Sequence, residues 1–359
     1  MSIFIDFHVL QTVPPSCVNR DDMGSPKTAV YGGAVRARVS SQAWKHAVRE
    51  YFKQLFTEED LGSRTKNVVE MVEKEMLRSD PDMDKDDRHQ KAVKALELAG
   101  LTVKAKKGEK EKADALFFMS FKQAKAIADI AVNLDPKNKE TANALKEAFK
   151  EALKADPSVD IALFGRMAAS DPTLNYDAAA QVAHAISTHA VQNEYDYFTA
   201  VDDLQADDNA GAGHLGTVEF NSSTLYRYAV VNASELASTL GAENVADAVK
   251  KFGQAFIMSM PTGKINTFAN RTLPDMVYVT VRSDQPVNLC GAFENPMKQS
   301  EEGYTAASEK RLLEYAERVY TQYAAKPEFS WINDISSEIS LPGLLDELGK
   351  TIDSKINGV

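Results

Sequence analysis

The stretch 57–158 constrains the fold most, because strand patterns stand on both sides of it and vanish within it. Inside it, charges of both signs crowd between modest apolar positions. The spacing predicts helices at Val68 to Leu77, Lys91 to Leu98, Ala113 to Val132 and Glu140 to Lys154. Asp80 to Asp87 and Lys104 to Lys112, KAKKGEKEK, read as charged, solvated loops. Before the stretch, Ile3, Ile5, Phe7 and Val9 alternate with Phe4, Asp6, His8 and Leu10, a strand that Pro14-Pro15 is expected to end. A long loop, Ser16 to Gly33, precedes a helix that starts at Ser40 or Ser41 and runs to about Phe56. Trp44, Val48, Tyr51, Phe52, Leu55 and Phe56 form its buried face.

After the stretch, Ile186 to Val201 reads as extended. EYDYFTAV (Glu194 to Val201), the turn-forming DDNAGAG (Asp207 to Gly213) and HLGTVEF (His214 to Phe220) together predict a long hairpin. No lysine or arginine lies between Gln192 and Thr224. Tyr226 to Val231 and Met276 to Val281 read as strands, and Ser234 to Met260 and Ala307 to Tyr323 as helical. Leu312, Leu313, Tyr315, Ala316 and Val319 are core candidates of the last. The sum is an α+β core with a helical insert.

With 359 residues, 44% of them hydrophobic, the chain can build one large core or two smaller ones. Two cysteines, Cys17 and Cys290, make no disulfide framework, which points to a reducing compartment. The start MSIFIDFHVL lacks the basic leader of a signal peptide, and no apolar run reaches the length of a membrane helix. The expectation is a cytoplasmic protein.

The formal net charge is -11, yet Asn19 to Arg49 is basic. It carries Arg20, Lys27, Arg36, Arg38, Lys45 and Arg49 against Asp21 and Asp22 only. Such a local concentration on an acidic body suggests a defined polyanion site. Gln42, Lys45 and Arg49 share one side of the predicted helix. That stripe is either a solvated face or, with Arg20, Lys27 and Ser40, a grip on a phosphate backbone. Spacing alone leaves both open.

Catalytic motifs are sparse. There is no phosphate-loop motif, no GxGxxG and no paired-cysteine zinc pattern. His184 and His189 have a spacing unsuited to a metal pair and read as structural. Asp6 and His8 share a strand face, where packing and hydrogen bonding outweigh acid–base work. Asp21 and Asp22 beside Arg20 could assist RNA cleavage. Orienting Arg20 is the favoured reading, because no second catalytic group is evident. Met167, after Gly165-Arg166, and Tyr197 and Phe198 of the hairpin are more often core residues than stacking groups. An exposed hairpin aromatic, however, could wedge between bases.

Three blocks carry a family resemblance: HVLQTVPPSCVNRDDMGSPKTAVYGGAVRARVSSQ (His8 to Gln42), DIALFGRMAAS (Asp160 to Ser170), and Val182 to Asn232 from VAHAISTHAVQNEYDYFTAVDDLQ to LYRYAVVN. FANRTLPDMVYV (Phe268 to Val279) matches more loosely. In these blocks the chain resembles the CasC family, the backbone subunit of the type I-E CRISPR Cascade complex. The resemblance implies an RRM-like (ferredoxin-like) palm at 1–56 and 159–359, a helical fingers insert at 57–158, and a hairpin thumb at 193–223. It implies that Arg20, Lys27, Ser40, Gln42, Lys45, Arg49, Arg166 and Met167 bind the guide RNA (crRNA). It also implies that Phe198, Thr199, Val201 and Leu215 of the thumb wedge between bases and flip nucleotides out. Lys104, Lys106, Lys107, Lys110 and Lys112 of the insert are candidates for contact with target DNA.

The function implied is that of a non-catalytic, RNA-binding subunit in antiviral defence. Its partners would be crRNA, double-stranded target DNA whose target strand pairs with the crRNA, further copies of itself head to tail, and the large, small and guide-end-capping Cascade subunits. No membrane partner, cofactor or metal is expected. The alternative, from another class, is a crRNA-guided ribonuclease using Asp21 or Asp22. The RNP aromatic motif of ordinary RRM proteins is absent, which counts against a free-standing RNA binder.

Overall fold

A computed structural model describes residues 2–105, 110–168, 171–200 and 214–358. Along the chain these form β1 (Phe4–Ser16), β2 (Thr28–Tyr31), β3 (Ala34–Val39), α1 (Ser41–Phe52), β4 (Gly62–Thr65), α2 (Val68–Ser79) and α3 (Lys85–Leu98). Next come β5 (Val103–Lys104), β6 (Lys112–Ala113), β7 (Phe117–Ser120), α4 (Phe121–Ala131), α5 (Lys139–Ala144), α6 (Lys146–Lys154) and α7 (Val159–Phe164). Then follow β8 (Ala180–Val182), β9 (Ala185–Ser187), β10 (Glu194–Ala200), β11 (His214–Asn232), α8 (Ala233–Leu240), α9 (Ala242–Met258) and α10 (Ile265–Phe268). β12 (Met276–Arg282), α11 (Thr305–Gln322), β13 (Phe329–Asp334) and α12 (Leu341–Asn357) complete the order.

The chain divides into two compact units. The first comprises Met1–Glu50, Val182–Val230 and Phe252–Lys350. The second comprises Tyr51–Gln181, Val231–Lys251 and Thr351–Val359, and so draws in segments from outside 57–158.

The first unit is a sheet in the order β13-β12-β1-β11-β9-β3-β2. β1 pairs antiparallel with β12, from Phe4 opposite Arg282 to Leu10 opposite Met276. Both faces of β1 are covered, by α11 on the Leu10 side and by α9 on the Phe7 side. Ile5 to Leu10 are buried without a break, although the alternation is that of a half-exposed strand. Tyr226, Tyr228, Met276 and Tyr278 pack with Leu312, Ala316 and Tyr320 of α11. Phe7, on the opposite side of β1 from Leu10, meets Phe252 and Phe256 of α9 with ring centroids 5.8 and 6.5 Å apart. Pro14 and Pro15 do not end β1. Its pairing with β12 stops at Leu10, so their missing N–H groups break no bond on that side.

The predicted loop from Ser16 to Gly33 is shorter than expected. β2 and β3 form a hairpin whose two turn residues, Gly32 (φ 58°) and Gly33 (φ 72°), supply the left-handed backbone that such a turn demands. α1 ends at Phe52, four residues early. The single helix expected from Ser234 to Met260 is broken into α8 and α9 at Gly241 (φ 85°). β13 and α12 were not anticipated.

The second unit has its own core, in which Val72, Met76, Leu96, Ile127, Ala128, Phe149 and Leu153 meet. The expectation of purely helical structure fails here. β4 pairs with β7, and β5 with β6, in ribbons too short to show a period. α4 opens with a capping box: Ser120 Oγ accepts from Gln123 N at 3.0 Å, and Gln123 Oε1 accepts from Ser120 N at 3.2 Å.

Candidate nucleic-acid interface

In the first unit, Asn19 ties the predicted basic loop to the start of α1. Its carbonyl accepts from Lys27 N at 2.8 Å, and its side-chain Oδ1 accepts from Ser40 N at 2.9 Å. The loop tip is closed by Asp21, whose Oδ1 accepts from Met23 N at 2.9 Å and Ser25 N at 3.0 Å. Arg20 is exposed and Lys27 half-buried, on strands of the loop bridged at Arg20 and Pro26. Ser40 caps α1 by accepting from Ala43 N at 3.3 Å. It is buried, so its hydroxyl serves the helix; that corrects the expectation of a side-chain RNA contact. Gln42 is exposed, and Lys45 and Arg49 are half-buried on the same helix. Burial pulls the Lys45 ammonium below its ordinary pKa.

His184 reports the charge of this surface. Its Nδ1 accepts from Ser41 N at 3.2 Å and lies 3.4 Å from Arg38. Burial lowers its pKa first, and the cations Arg38 and Lys27 lower it further, so the ring stays neutral. A small pocket here is lined by Asn19, Lys27 and Arg38 together with Asn221 and Ser223 of β11. The base of the hairpin therefore opens onto the basic loop.

Arg36 belongs to the same basic run but not to this surface. It is fully buried, donating to Ser187 O at 2.8 Å, Phe293 O at 2.8 Å and Glu294 O at 3.1 Å.

The two strands of the hairpin expected from the sequence are present and paired, and the expected turn DDNAGAG, Asp207 to Gly213, lies outside the described residues. β10 pairs with β11 from Glu194 opposite Phe220 to Ala200 opposite His214. Tyr195, Tyr197 and Phe198 are 68%, 64% and 43% exposed, so the core reading of the last two fails. Phe198 covers Gly216 on the facing strand: a Cβ there would lie 2.3 Å from its ring. Thr199 is exposed. Val201 and the Leu215 side chain fall outside the described residues.

In the second unit, neighbouring candidates diverge. Met167 is 83% exposed, as a base-stacking side chain requires. Arg166 is buried, which corrects its assignment as an RNA contact. Its guanidinium donates to Leu174 O at 2.9 Å, Phe118 O at 3.2 Å, Gln123 Oε1 at 3.0 Å and Leu153 O at 2.8 Å. Lys104 pairs with Asp114 at 2.9 Å. Lys110 and Lys112 line a pocket with His89, Glu73 and Glu111. Lys106 and Lys107 fall outside the described residues.

The remaining polar candidates are structural. Asp6 accepts from Tyr228 OH at 2.7 Å and Val287 N at 3.2 Å, and His8 Nδ1 meets Tyr226 OH at 2.9 Å, all in the core. His189 stacks on Tyr304 at 3.7 Å, and its Nε2 accepts from Thr224 N at 3.1 Å. Cys17 and Cys290 are free thiols. Sequence reasoning counted Arg38 in the basic run without giving it a contact, and it missed Asn19 and His184 as parts of the surface. It also missed Met23, 90% exposed at the tip of the loop; the one signal was a methionine among polar turn residues.

Among the described residues no helix is long and apolar enough to cross a membrane. No curated protein matches the chain. Chains of solved assemblies do, two of them as follows. One, from a CRISPR RNA-guided surveillance complex, pre-nicking, is 34% identical, with a TM-score of 0.82, and the match covers 97% of this chain and 100% of that one. The other, from a CRISPR RNA-guided surveillance complex, is 30% identical, with a TM-score of 0.72, covering 99% and 100%. The model of the CT1975-like proteins matches residues 5–354. By that near-complete match, and by its likeness along almost its whole length to chains of two CRISPR RNA-guided surveillance complexes, the chain belongs to the CT1975-like family.

Proposed function

We propose that this chain is the non-catalytic, CasC-like backbone subunit of a type I-E Cascade complex, acting in the cytoplasm. It polymerises head to tail along the crRNA spacer, grips the RNA backbone and presents its bases to target DNA. The observation that carries this reading is the surface around Asn19, where the Arg20–Lys27 loop, Arg38 and the start of α1 are tied together on a chain of net charge -11. A focused patch on an acidic body suits one polyanion held in register. The likeness to chains of two RNA-guided surveillance complexes supports it.

In this reading Arg20, Lys27, Gln42, Lys45 and Arg49 neutralise phosphates, and exposed Met167 stacks on a base. The sheet of the first unit is an RRM-like palm, residues 57–158 are the fingers, and the hairpin at 193–223 is the thumb. Its exposed Phe198 and Thr199, with Val201 and Leu215, interrupt the guide–target duplex at intervals. Lys104, Lys106, Lys107, Lys110 and Lys112 steer target DNA. Asp21 serves the turn in this reading: its Oδ1 accepts from two backbone N–H groups of the loop tip, which supports a structural role for it.

The test is co-purification. Expressed with crRNA and the partner subunits, the chain elutes from size exclusion as a large RNA-bearing complex. The double variant Lys45→Glu, Arg49→Glu elutes as RNA-free monomer. A wild-type chain that stays RNA-free beside guide and partners overturns the reading.

A further inference from the structure

One segment of the first unit, residues 259–273 (SMPTGKINTFANRTL), carries Lys264 and Arg271 and no carboxylate. It is seated in the angle between the basic loop and the base of the hairpin. Gly263 lies so close to the basic loop that a Cβ would stand 2.1 Å from Val18 O. Phe268 packs on Phe220 of β11, with ring centroids 5.9 Å apart. Thr272 anchors the far end, donating to Thr12 O at 2.7 Å, and its carbonyl accepts from Gln11 Nε2 at 2.9 Å.

The backbone of this segment is strained. Lys264 (φ 51°) and Ala269 (φ 48°) are two of the three non-glycine residues with positive φ among the described residues, and they bracket α10. A lysine in the left-handed region is strained relative to glycine or asparagine, and such residues concentrate where a ligand is held. Nothing in the turn itself requires a lysine there. Arg271 is tethered to Met258 O at 3.4 Å, whereas Lys264 directly follows Gly263, which abuts Val18 two residues before Arg20. Both cations bear on the same buried thiol, Cys17: burial raises its pKa, and Arg20 and then Lys264 oppose the rise, with Glu219 and Asp21 as the facing acids.

We propose that Lys264 is a further contact to the RNA sugar–phosphate backbone, held beside Arg20 by the seating of Gly263 on Val18. The inference rests on the function proposed above. It makes the 259–273 segment a second wall of the RNA path, joining the basic loop to the hairpin.

The test compares wild type, Lys264→Asn and Lys264→Arg, each assembled with crRNA and partner subunits, with RNA affinity measured across a salt series. Asparagine tolerates left-handed backbone, so Lys264→Asn keeps or raises the melting temperature and separates lost charge from lost fold. The expected result is a salt slope smaller by about one for Lys264→Asn and restored in Lys264→Arg. An unchanged slope for Lys264→Asn, with guide binding intact, overturns this inference and leaves the proposed function standing. Failure of wild type to bind guide at any salt overturns both.

Discussion

Arginine and lysine side chains of one short run meet opposite fates, and sequence distinguishes them poorly. Arg36 and Arg38 are two residues apart on β3; Arg36 is sealed against carbonyls of Ser187, Phe293 and Glu294, while Arg38 borders the open pocket. Those carbonyls come from segments far along the chain, so no local pattern announces them. The same holds for Arg166 beside Met167. What was legible was the concentration of charge, the N-cap at Ser40 and the helix side bearing Gln42, Lys45 and Arg49, because these are local. Asp6 and His8 show how two buried neighbours oppose each other. Burial pushes Asp6 up to about 6, even with Tyr228 bonded to it, and drives His8 down to about 3. The folded state therefore binds the extra proton at Asp6 between about pH 4 and 6, so stability from this group falls as pH rises, by about 3 kcal/mol in all. His8 acts in reverse. Its stability is present above pH 6.5 and is lost on acidification toward 3, by about 5 kcal/mol. In wild type the slopes offset between pH 4 and 6. Asp6→Asn should leave the His8 slope alone, so urea midpoints rise steadily from pH 4 to 6.5. A flat profile in that variant would show that His8 does not stay neutral in the core.

Among elements, those with a strong period or strong turn chemistry were legible and the short ones were not. The pairing of β10 with β11 was readable from the alternation of its strands, and α2, α4 and α11 from their apolar stripes. β5 and β6, of two residues each, have no period to read; they exist because Val103 and Ala113 are drawn to the core of the second unit. Gly241 was the overlooked signal that splits α8 from α9. β13 escaped notice because an edge strand leaves Phe329 and Ile332 exposed and so lacks the alternation of a buried face. The arm leading into β6 is also held electrostatically. His89 of α3 sits between Glu73 of α2 and Glu111, with Nε2 2.8 Å from Glu111 Oε2. Burial disfavours its charge, but the bonds to Glu73 and Glu111 outweigh burial and raise its pKa. Glu70, Lys110 and Lys112 line the same pocket. The sign follows: this tie stabilises fully below pH 6.5 and is lost as pH rises through the raised folded value. Amide exchange at residues 110–113 should accelerate between neutral and mildly alkaline pH beyond the intrinsic rate. His89→Gln should show the fast exchange at every pH; equal protection in both proteins would mean the tie holds nothing.

At the scale of the whole molecule, strands before and after a helical stretch were enough to anticipate a sheet-based core and a second body. The exact membership was not legible, because 231–251 and 351–359 join the second unit through contacts made far from it in sequence. Each unit has a core of its own, and a buried arginine braces each core. Arg227 of the first donates to Gln11 Oε1 at 2.6 Å and stacks on Trp44 at 3.8 Å. Arg166 of the second satisfies three carbonyls and the Gln123 side chain. Removing such a donor leaves buried acceptors unpaired, at a cost of about 3 kcal/mol. Both tryptophans, Trp44 and Trp331, lie in the first unit, so their fluorescence follows that unit alone, whereas far-ultraviolet circular dichroism follows the helices of both. Separate cores predict that unfolding departs from two-state behaviour. Arg166→Met should therefore advance the loss of ellipticity in urea while the fluorescence midpoint stays in place, and Arg227→Met should move the fluorescence midpoint itself. If Arg166→Met shifts both signals together, the two cores unfold as one cooperative body, and Arg166 stabilises the whole chain rather than its own half.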